Sequence, residues 1–260
     1  MKQLAGKLGP MLAFAVAGLG LWQLFVVMSG VGRFLLPAPS DVAGAFARGF
    51  PTILDATRVT ASAVVLGMLG GVVAGLLVAL LIARFSSVAP PVLATVVVVN
   101  CAPIIALAPI FNNWFGSASL MSKAAVAGVM VFFPVLLNTA RGLLEARPLH
   151  VELMTSLAAR PRQVSLLLRL PGALPYLFSA LRLATTLSVI GVIIAEFFGG
   201  PTNALGVYIA YQAAVPRFAV AWAGIIMASA LGLGLFGVVV LLERIVMPWH
   251  TSSRSPMSWS

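Results

Sequence analysis

Hydrophobic residues in this chain run in long uncharged blocks, and the polar residues gather into short stretches between them. Residues 11–28 carry no charge over 18 positions, residues 59–83 none over 25, and residues 218–242 none over 25. Residues 85–122 extend uncharged for 38 positions, too long for one crossing and too short for two with a proper loop. A helix spanning the hydrocarbon core of a bilayer needs about 20 apolar residues. The blocks therefore predict six spans, at about 11–28, 59–83, 88–111, 120–139, 174–198 and 218–242. Alternating polarity of the kind a membrane barrel requires is absent. The expected architecture is an all-α polytopic membrane protein, one domain over residues 1–260 with its core at about 55–245.

Punctuation within the blocks adds detail. Residues 29–57 hold three prolines and the charges Arg33, Asp41, Arg48 and Asp55. They read as a loop with a short interfacial helix after Pro39-Ser40-Asp41, where Ser40 or Asp41 caps it. Gly67, Gly71 and Gly75 recur at four-residue spacing, which either lets another helix approach closely or faces lipid. Prolines 90, 91, 103 and 109 interrupt the third span, and Asn112 to Trp114 mark its far interface. Span five must accommodate Arg182 near its start. The segment from Glu243 reads as a short polar tail.

Composition agrees with this reading. The chain is 61% hydrophobic and 8% charged, and its mean hydropathy is +1.08. Soluble domains carry about 25% charged residues. The net charge of +10 would point a soluble protein toward nucleic acid, but here basic residues in membrane loops explain it, and no nucleic-acid partner is expected. Lys2, Lys7, Arg84, Arg141, Arg147, Arg160, Arg162, Arg169, Arg244 and Arg254 fall on one side of the six spans. Arg33, Arg48, Arg58, Arg217 and Lys123 fall on the other. Ten against five predicts that both termini are cytoplasmic. Residues 11–28 read as an uncleaved first span rather than a secretory leader.

Catalytic chemistry has little to work with. There is no phosphate-cradling glycine-rich motif ending in Lys-Ser or Lys-Thr, so any ATP is expected to be used by another chain. His150 and His250 lie in predicted cytoplasmic segments with no nucleophile at a recognisable spacing. Cys101 stands alone in an apolar run as a packing residue, and no metal site is expected. The one carboxylate predicted within the bilayer is Glu196. It is either functional, lining a path or pairing between helices, or interfacial at the end of its span. Asn100, Asn138 and Arg182 carry the same ambiguity.

Residues 141–175 break the apolar rhythm with five basic and two acidic residues. Arg147-Pro148 favours a helix start. Leu153, Met154 and Leu157 form one apolar face. Arg160-Pro161 interrupts it, and a second short helix with Val164, Leu167 and Leu168 on one face ends at Leu170-Pro171. The stretch is either a knuckle projecting from the membrane or an interfacial segment holding lipid phosphates.

These residues also carry a resemblance. Glu152-Leu153-Met154, three residues, Ala158, nine residues, Leu168, then Leu170-Pro171 resembles the EAA loop of permease subunits in bacterial ATP-binding-cassette importers. Glu152, Leu170 and Pro171 match. Leu153 and Met154 replace the two alanines, Leu168 the isoleucine, and Ala158 the glycine that marks the bend, so Pro161 is expected to supply the break. Leu36-Pro37-Ala38-Pro39-Ser40, residues 103–109 with Trp114-Phe115-Gly116, Pro134 with Asn138-Thr139, residues 170–175, Ala195-Glu196 and Leu205-Gly206 are similar to the branch serving nitrate, sulfonate and taurine. The wording of residues 104–116 is also similar to permeases for pyrimidine-type vitamins and their precursors.

The resemblance implies a multi-pass permease of the bacterial inner membrane that binds no nucleotide itself. It implies a cytoplasmic ATP-hydrolysing subunit, a second permease copy or paralogue, and an external solute-binding protein. Glu152, Leu153, Met154, Leu157, Ala158, Arg160 and Arg162 would then form the coupling element, with Leu170 and Pro171 closing the loop. Asn100 and Glu196 would line the path. The competing readings are an ion-gradient-driven carrier and a membrane-embedded enzyme.

Overall fold

A computed structural model describes residues 2–30, 32, 35–85, 89–145 and 148–249, and every regular element among them is helical. Arg33, Arg147, His250 and Arg254 lie outside the described residues. Four helices are long and apolar enough to cross a membrane, and a fifth crossing is formed if a bent pair counts as one span. The first helix, α1 (Lys2–Met28), contains a shorter apolar stretch, Ala13–Met28.

The second helix departs most from expectation. Instead of a loop and a separate span, α2 runs unbroken over Pro39–Arg84, 46 residues. It begins earlier than the expected cap at Ser40 or Asp41: Ala38 is the N-cap, Pro39 opens the first turn, and the Asp41 carboxylate within that turn accepts the Ala38 N–H at 3.3 Å. Its continuity comes from one stripe of small and apolar residues. Val42, Ala45, Ile53, Ala56, Thr60, Val64, Gly67, Gly71, Gly75, Ala79 and Ile82 are all buried, at the three- and four-residue steps of one helix face. Arg48, Asp55 and Arg58 stay on the exposed side. Arg48 and Asp55, two of the charges that make residues 29–57 look like a loop, therefore lie on the exposed face of a helix.

The centre of the fold is α2 packed against α5 (Leu120–Leu144), and α5 against α8 (Leu170–Phe197). Glycine permits the first contact. A Cβ on Gly67 would stand 2.6 Å from the Ala124 carbonyl oxygen and 2.7 Å from Ala127 Cβ, and one on Gly75 would stand 3.0 Å from the Phe132 carbonyl oxygen. The stripe is thus an internal helix contact and not a lipid-facing surface. Gly70, one step off it, would meet nothing. In lipid, where apolar surface alone does not drive helices together, such backbone approach supplies dispersion contact.

The third predicted span is broken. α3 (Ala89–Asn100) ends at a turn over residues 101–103, and the segment Ile104–Phe115 leaves it at 74°. That segment is a 3₁₀ turn, Ile104–Leu107, followed by α4 (Ala108–Phe115). Pro103 has no N–H for the ladder and sits at φ −70°, ψ 85°, which no helix continues through. After α5, capped by Ser119 Oγ on the Met121 N–H at 3.2 Å, come α6 (Pro148–Ser156) and α7 (Pro161–Val164).

The loop's second helix does not end at Leu170-Pro171. It passes through a π turn, Ser165–Arg169, directly into α8, so that residues Pro161–Phe197 form one helical rod. Within it the Leu170 N–H reaches back to the Ser165 carbonyl, and this wider turn accommodates a proline with no hydrogen to donate. Two further elements complete the fold. α9 (Leu205–Ala214) has no counterpart in the spans expected from the sequence, and α10 (Phe218–Val246) takes in residues 243–246 at the start of the expected polar tail. Ala45, Ile53 and Ala56 of α2 pack with Leu205 and Ile209 of α9 and Ala223 of α10. The extra turns of α2 thus form a roof with α9 at the end opposite α6.

Candidate functional site

The loop between α5 and α8 is a knuckle, and its bend lies at Ala158. Ala158 is the one described residue other than glycine with positive φ, at 55°. Its N–H is donated to the Thr155 carbonyl at 2.9 Å, and the Ala159 N–H to the Met154 carbonyl at 3.0 Å. This pair of bonds closes a helix through a left-handed residue just past its end. Pro161, expected to make the break, instead opens α7 in its first turn. The Arg160 N–H that precedes it is capped by Gln163 Oε1 at 2.7 Å. Alanine thus occupies the conformation that glycine prefers, and the bend keeps the geometry implied by the resemblance.

The knuckle presents an apolar stripe to the outside. Leu149, Leu153 and Leu157, one turn apart, are 73%, 58% and 70% exposed. Met154, expected on that face, is half-buried, and Leu149 takes its place. Glu152, Ala158, Arg160 and Arg162 are exposed around the stripe, while Leu170 and Pro171 are half-buried at the base. Glu145 anchors that base. It accepts from Arg141 Nε at 2.8 Å and from the Tyr176 hydroxyl at 3.3 Å. The hydrogen bond from Arg141 holds the Glu145 carboxyl below the usual carboxylate range.

The second feature is a buried polar brace near the roof. Glu196, in the last turn of α8, is 2% exposed. Thr60 Oγ1 of α2 donates to its carboxylate at 2.9 Å, and the Gly206 N–H donates at 2.7 Å. Thr60 Oγ1 in turn accepts the Leu205 N–H at 2.9 Å. Leu205 and Gly206 begin α9, so the Glu196–Thr60 pair satisfies two of the amide donors that a helix start leaves orphaned. A negative charge is also favoured at that end of a helix. A Cβ on Gly206 would lie 2.6 Å from Glu196 Oε2, and the residue must be glycine for this contact to form.

Lys123 of α5 is enclosed close by, 1% exposed. Its ammonium donates to Asn112 Oδ1 at 2.6 Å, to the Ser117 carbonyl at 2.6 Å and to Ser122 Oγ at 2.9 Å. Asn112 Nδ2 then donates to the Phe198 carbonyl at 3.3 Å. The chain of bonds ties the broken span to the end of α8. Lower in the bundle, Arg182 of α8 donates to Glu243 of α10 through Nε at 2.9 Å and also through Nη2. Asn138 donates to the Pro134 carbonyl at 2.8 Å. Asn100 is exposed at the end of α3, next to the break, and Cys101 beside it is exposed rather than packed.

Thr60, Gly206, Lys123 and Glu243 are the contacts that sequence reading did not bring together. A lone carboxylate in an apolar run signals that donors must exist, but Thr60 lies 136 positions away.

Residues 71–247 match the family described as binding-protein-dependent transport system inner membrane component. The chain is 32% identical over 254 residues to the formylaminopyrimidine transport permease protein ThiX of Halalkalibacterium halodurans, covering 96% of this chain and 99% of the relative. It is 28% identical to the riboflavin transport system permease protein RibX of Chloroflexus aurantiacus, covering 89% and 86%. It is 26% identical to the putative aliphatic sulfonates transport permease protein SsuC of Bacillus subtilis, covering 90% and 85%. All three relatives are transport permeases. With its polytopic helical fold and near end-to-end similarity, the chain belongs to the inner-membrane permease family of binding-protein-dependent ATP-binding-cassette importers.

Proposed function

We propose that this chain forms the membrane path of an ATP-driven importer and carries a small neutral heterocycle of the pyrimidine-precursor type into the bacterial cytoplasm. In this reading there are six crossings, with α1 as the first and the bent pair as the third, and both termini are cytoplasmic. ATP is hydrolysed by a separate subunit, and the permease pairs with a second copy or a paralogue. An external binding protein delivers the solute.

The observation that carries the reading is the stripe of Leu149, Leu153 and Leu157. Three leucines exposed on a polar knuckle are apolar surface waiting for a partner, and α6 makes only sparse contact with the rest of the chain. The ATP-hydrolysing subunit accepts this stripe in a groove, while Glu152, Arg160 and Arg162 fix its register. Because α7 runs through the π turn into α8 without a break, a push on the knuckle is transmitted along one helical rod.

Electrostatics favours the neutral solute over a sulfonate-like anion. Among the described residues the cations in the apolar stretches at 59–83, 88–111, 120–139, 174–198 and 218–242 are Lys123 and Arg182. The first is enclosed by three acceptors and the second is held by Glu243. Neither is free to offset the desolvation of an anion, which costs several kcal/mol. The similarity to a formylaminopyrimidine permease points the same way. The test is uptake into vesicles containing the permease, its ATPase subunit and its binding protein. ATP-dependent accumulation of a formylaminopyrimidine that taurine does not compete with is expected. Uptake of taurine or an alkanesulfonate at the higher rate would overturn the substrate assignment.

A further inference from the structure

The structure assigns a second ligand site to the knuckle end of the bundle, a groove that takes the phosphate of an anionic phospholipid and lays its acyl chains along α2. The groove is a cavity of about 440 Å³, with Leu77, Leu80, Leu81 and Arg84 of α2 on one side and Ser165 and Arg169 of the π turn on the other. It is amphipathic along its length. Leu77, Leu80 and Leu81 are exposed on the outer face of a span, and the two guanidinium groups and the serine hydroxyl stand at the end of that span, at the level where headgroups lie.

Among the described residues neither arginine there has an ion-pair partner. Arg169 is half-buried, and its Nε is buried with no hydrogen-bond partner. The chain holds six acidic residues, and each is accounted for. Asp41 caps α2. Asp55 pairs with Arg58, Glu145 with Arg141, and Glu243 with Arg182. Glu196 is held by Thr60 and Gly206, and Glu152 is exposed on α6. Glu145 lines a neighbouring cavity with Arg169, but its two oxygens are taken by Arg141 and Tyr176, and among the described residues no carboxylate pairs with Arg169. A buried guanidinium donor without an acceptor is costly, and arginine binds phosphate through paired, charge-assisted hydrogen bonds. A phosphodiester is the anion that also brings apolar chains to cover the leucines. The occupant is therefore a lipid such as phosphatidylglycerol, and its phosphate buttresses the π turn through which α7 joins α8.

This inference rests on the membrane location of the chain and not on the docking role of α6, and the readouts separate the two. Lipid retention is measured on the purified importer complex by native mass spectrometry, after exchange into detergent with equimolar phosphatidylglycerol and phosphatidylcholine. The wild-type complex is expected to retain phosphatidylglycerol selectively, and retention should weaken about five-fold for each of Arg84→Gln and Arg169→Gln. Equal retention of the two lipids by the wild type overturns the site whatever the variants do. So does unchanged retention in a folded Arg84→Gln, Arg169→Gln double variant. Displacement by millimolar inorganic phosphate would assign the groove to a free anion. Loss of the ATPase subunit from Arg169→Gln with lipid retention intact would assign the groove to that subunit. Either result overturns the lipid.

Discussion

Replacing Ala158 with glycine is expected to strengthen the knuckle. Ala158 sits at φ 55°, where an L side chain crowds its own backbone at a cost of about 1–2 kcal/mol. Glycine removes that cost but widens the unfolded ensemble, which returns about 0.4–1 kcal/mol. The net gain is about 0.5–1 kcal/mol, or roughly a two- to five-fold change in the opening equilibrium of the turn. The amides that report it are those of Leu157, Ala158 and Ala159, bonded to the carbonyls of Leu153, Thr155 and Met154. Hydrogen exchange on the assembled importer should slow at these amides by that factor in Ala158→Gly, and Ala158→Val should accelerate it. Pro161→Ala should leave the bend intact, because Pro161 opens α7 and does not turn the chain. Unchanged exchange in Ala158→Gly, together with collapse of protection in Pro161→Ala, would refute the assignment of the bend to Ala158.

Three further perturbations test the packing. Gly67→Val drives side-chain atoms into the Ala124 carbonyl and Ala127 and should lose about 1–3 kcal/mol of thermal stability, while Gly70→Ala should be neutral. Glu196→Ala strips the acceptor from Thr60 and from the Gly206 amide. It should cost about 1–3 kcal/mol for each orphaned group, read by thermal unfolding, and should be non-additive with Thr60→Val because the two act as one cap. Arg182→Met alone leaves Glu243 buried without a partner and should cost about 3–5 kcal/mol, and Glu243→Leu in the same chain should restore most of it.

Much of this fold was legible in the pattern of uncharged blocks, because a bilayer demands long apolar helices and little else satisfies that demand. Spans four, five and six fall within α5, α8 and α10, and the glycine spacing of span two does mark a close helix contact. The errors share a cause. Charges at Arg48 and Asp55 suggest a loop, yet they occupy the exposed face of α2 while the other face is buried. Local charge density carries no information about which face a charge takes. Pro171 suggested a helix end, and a π turn absorbed it instead. The partners of Glu196 and Glu243 were illegible because they come from helices far away in sequence, and only packing decides which helices meet. The bend at Ala158 could be placed by resemblance, but not assigned to alanine by propensity, since alanine rarely adopts that conformation.

We propose that the knuckle over residues 148–169 is the handle by which a separate ATPase drives the spans. Co-purification of the ATPase subunit with full-length permease carrying Glu152→Lys or Leu157→Asp tests it most directly, with membrane insertion measured alongside. Normal insertion, loss of the ATPase subunit and loss of ATP-driven uptake are expected for Leu157→Asp, and weakened association for Glu152→Lys. Retention of the ATPase subunit and uptake at the wild-type rate in both variants would contradict it.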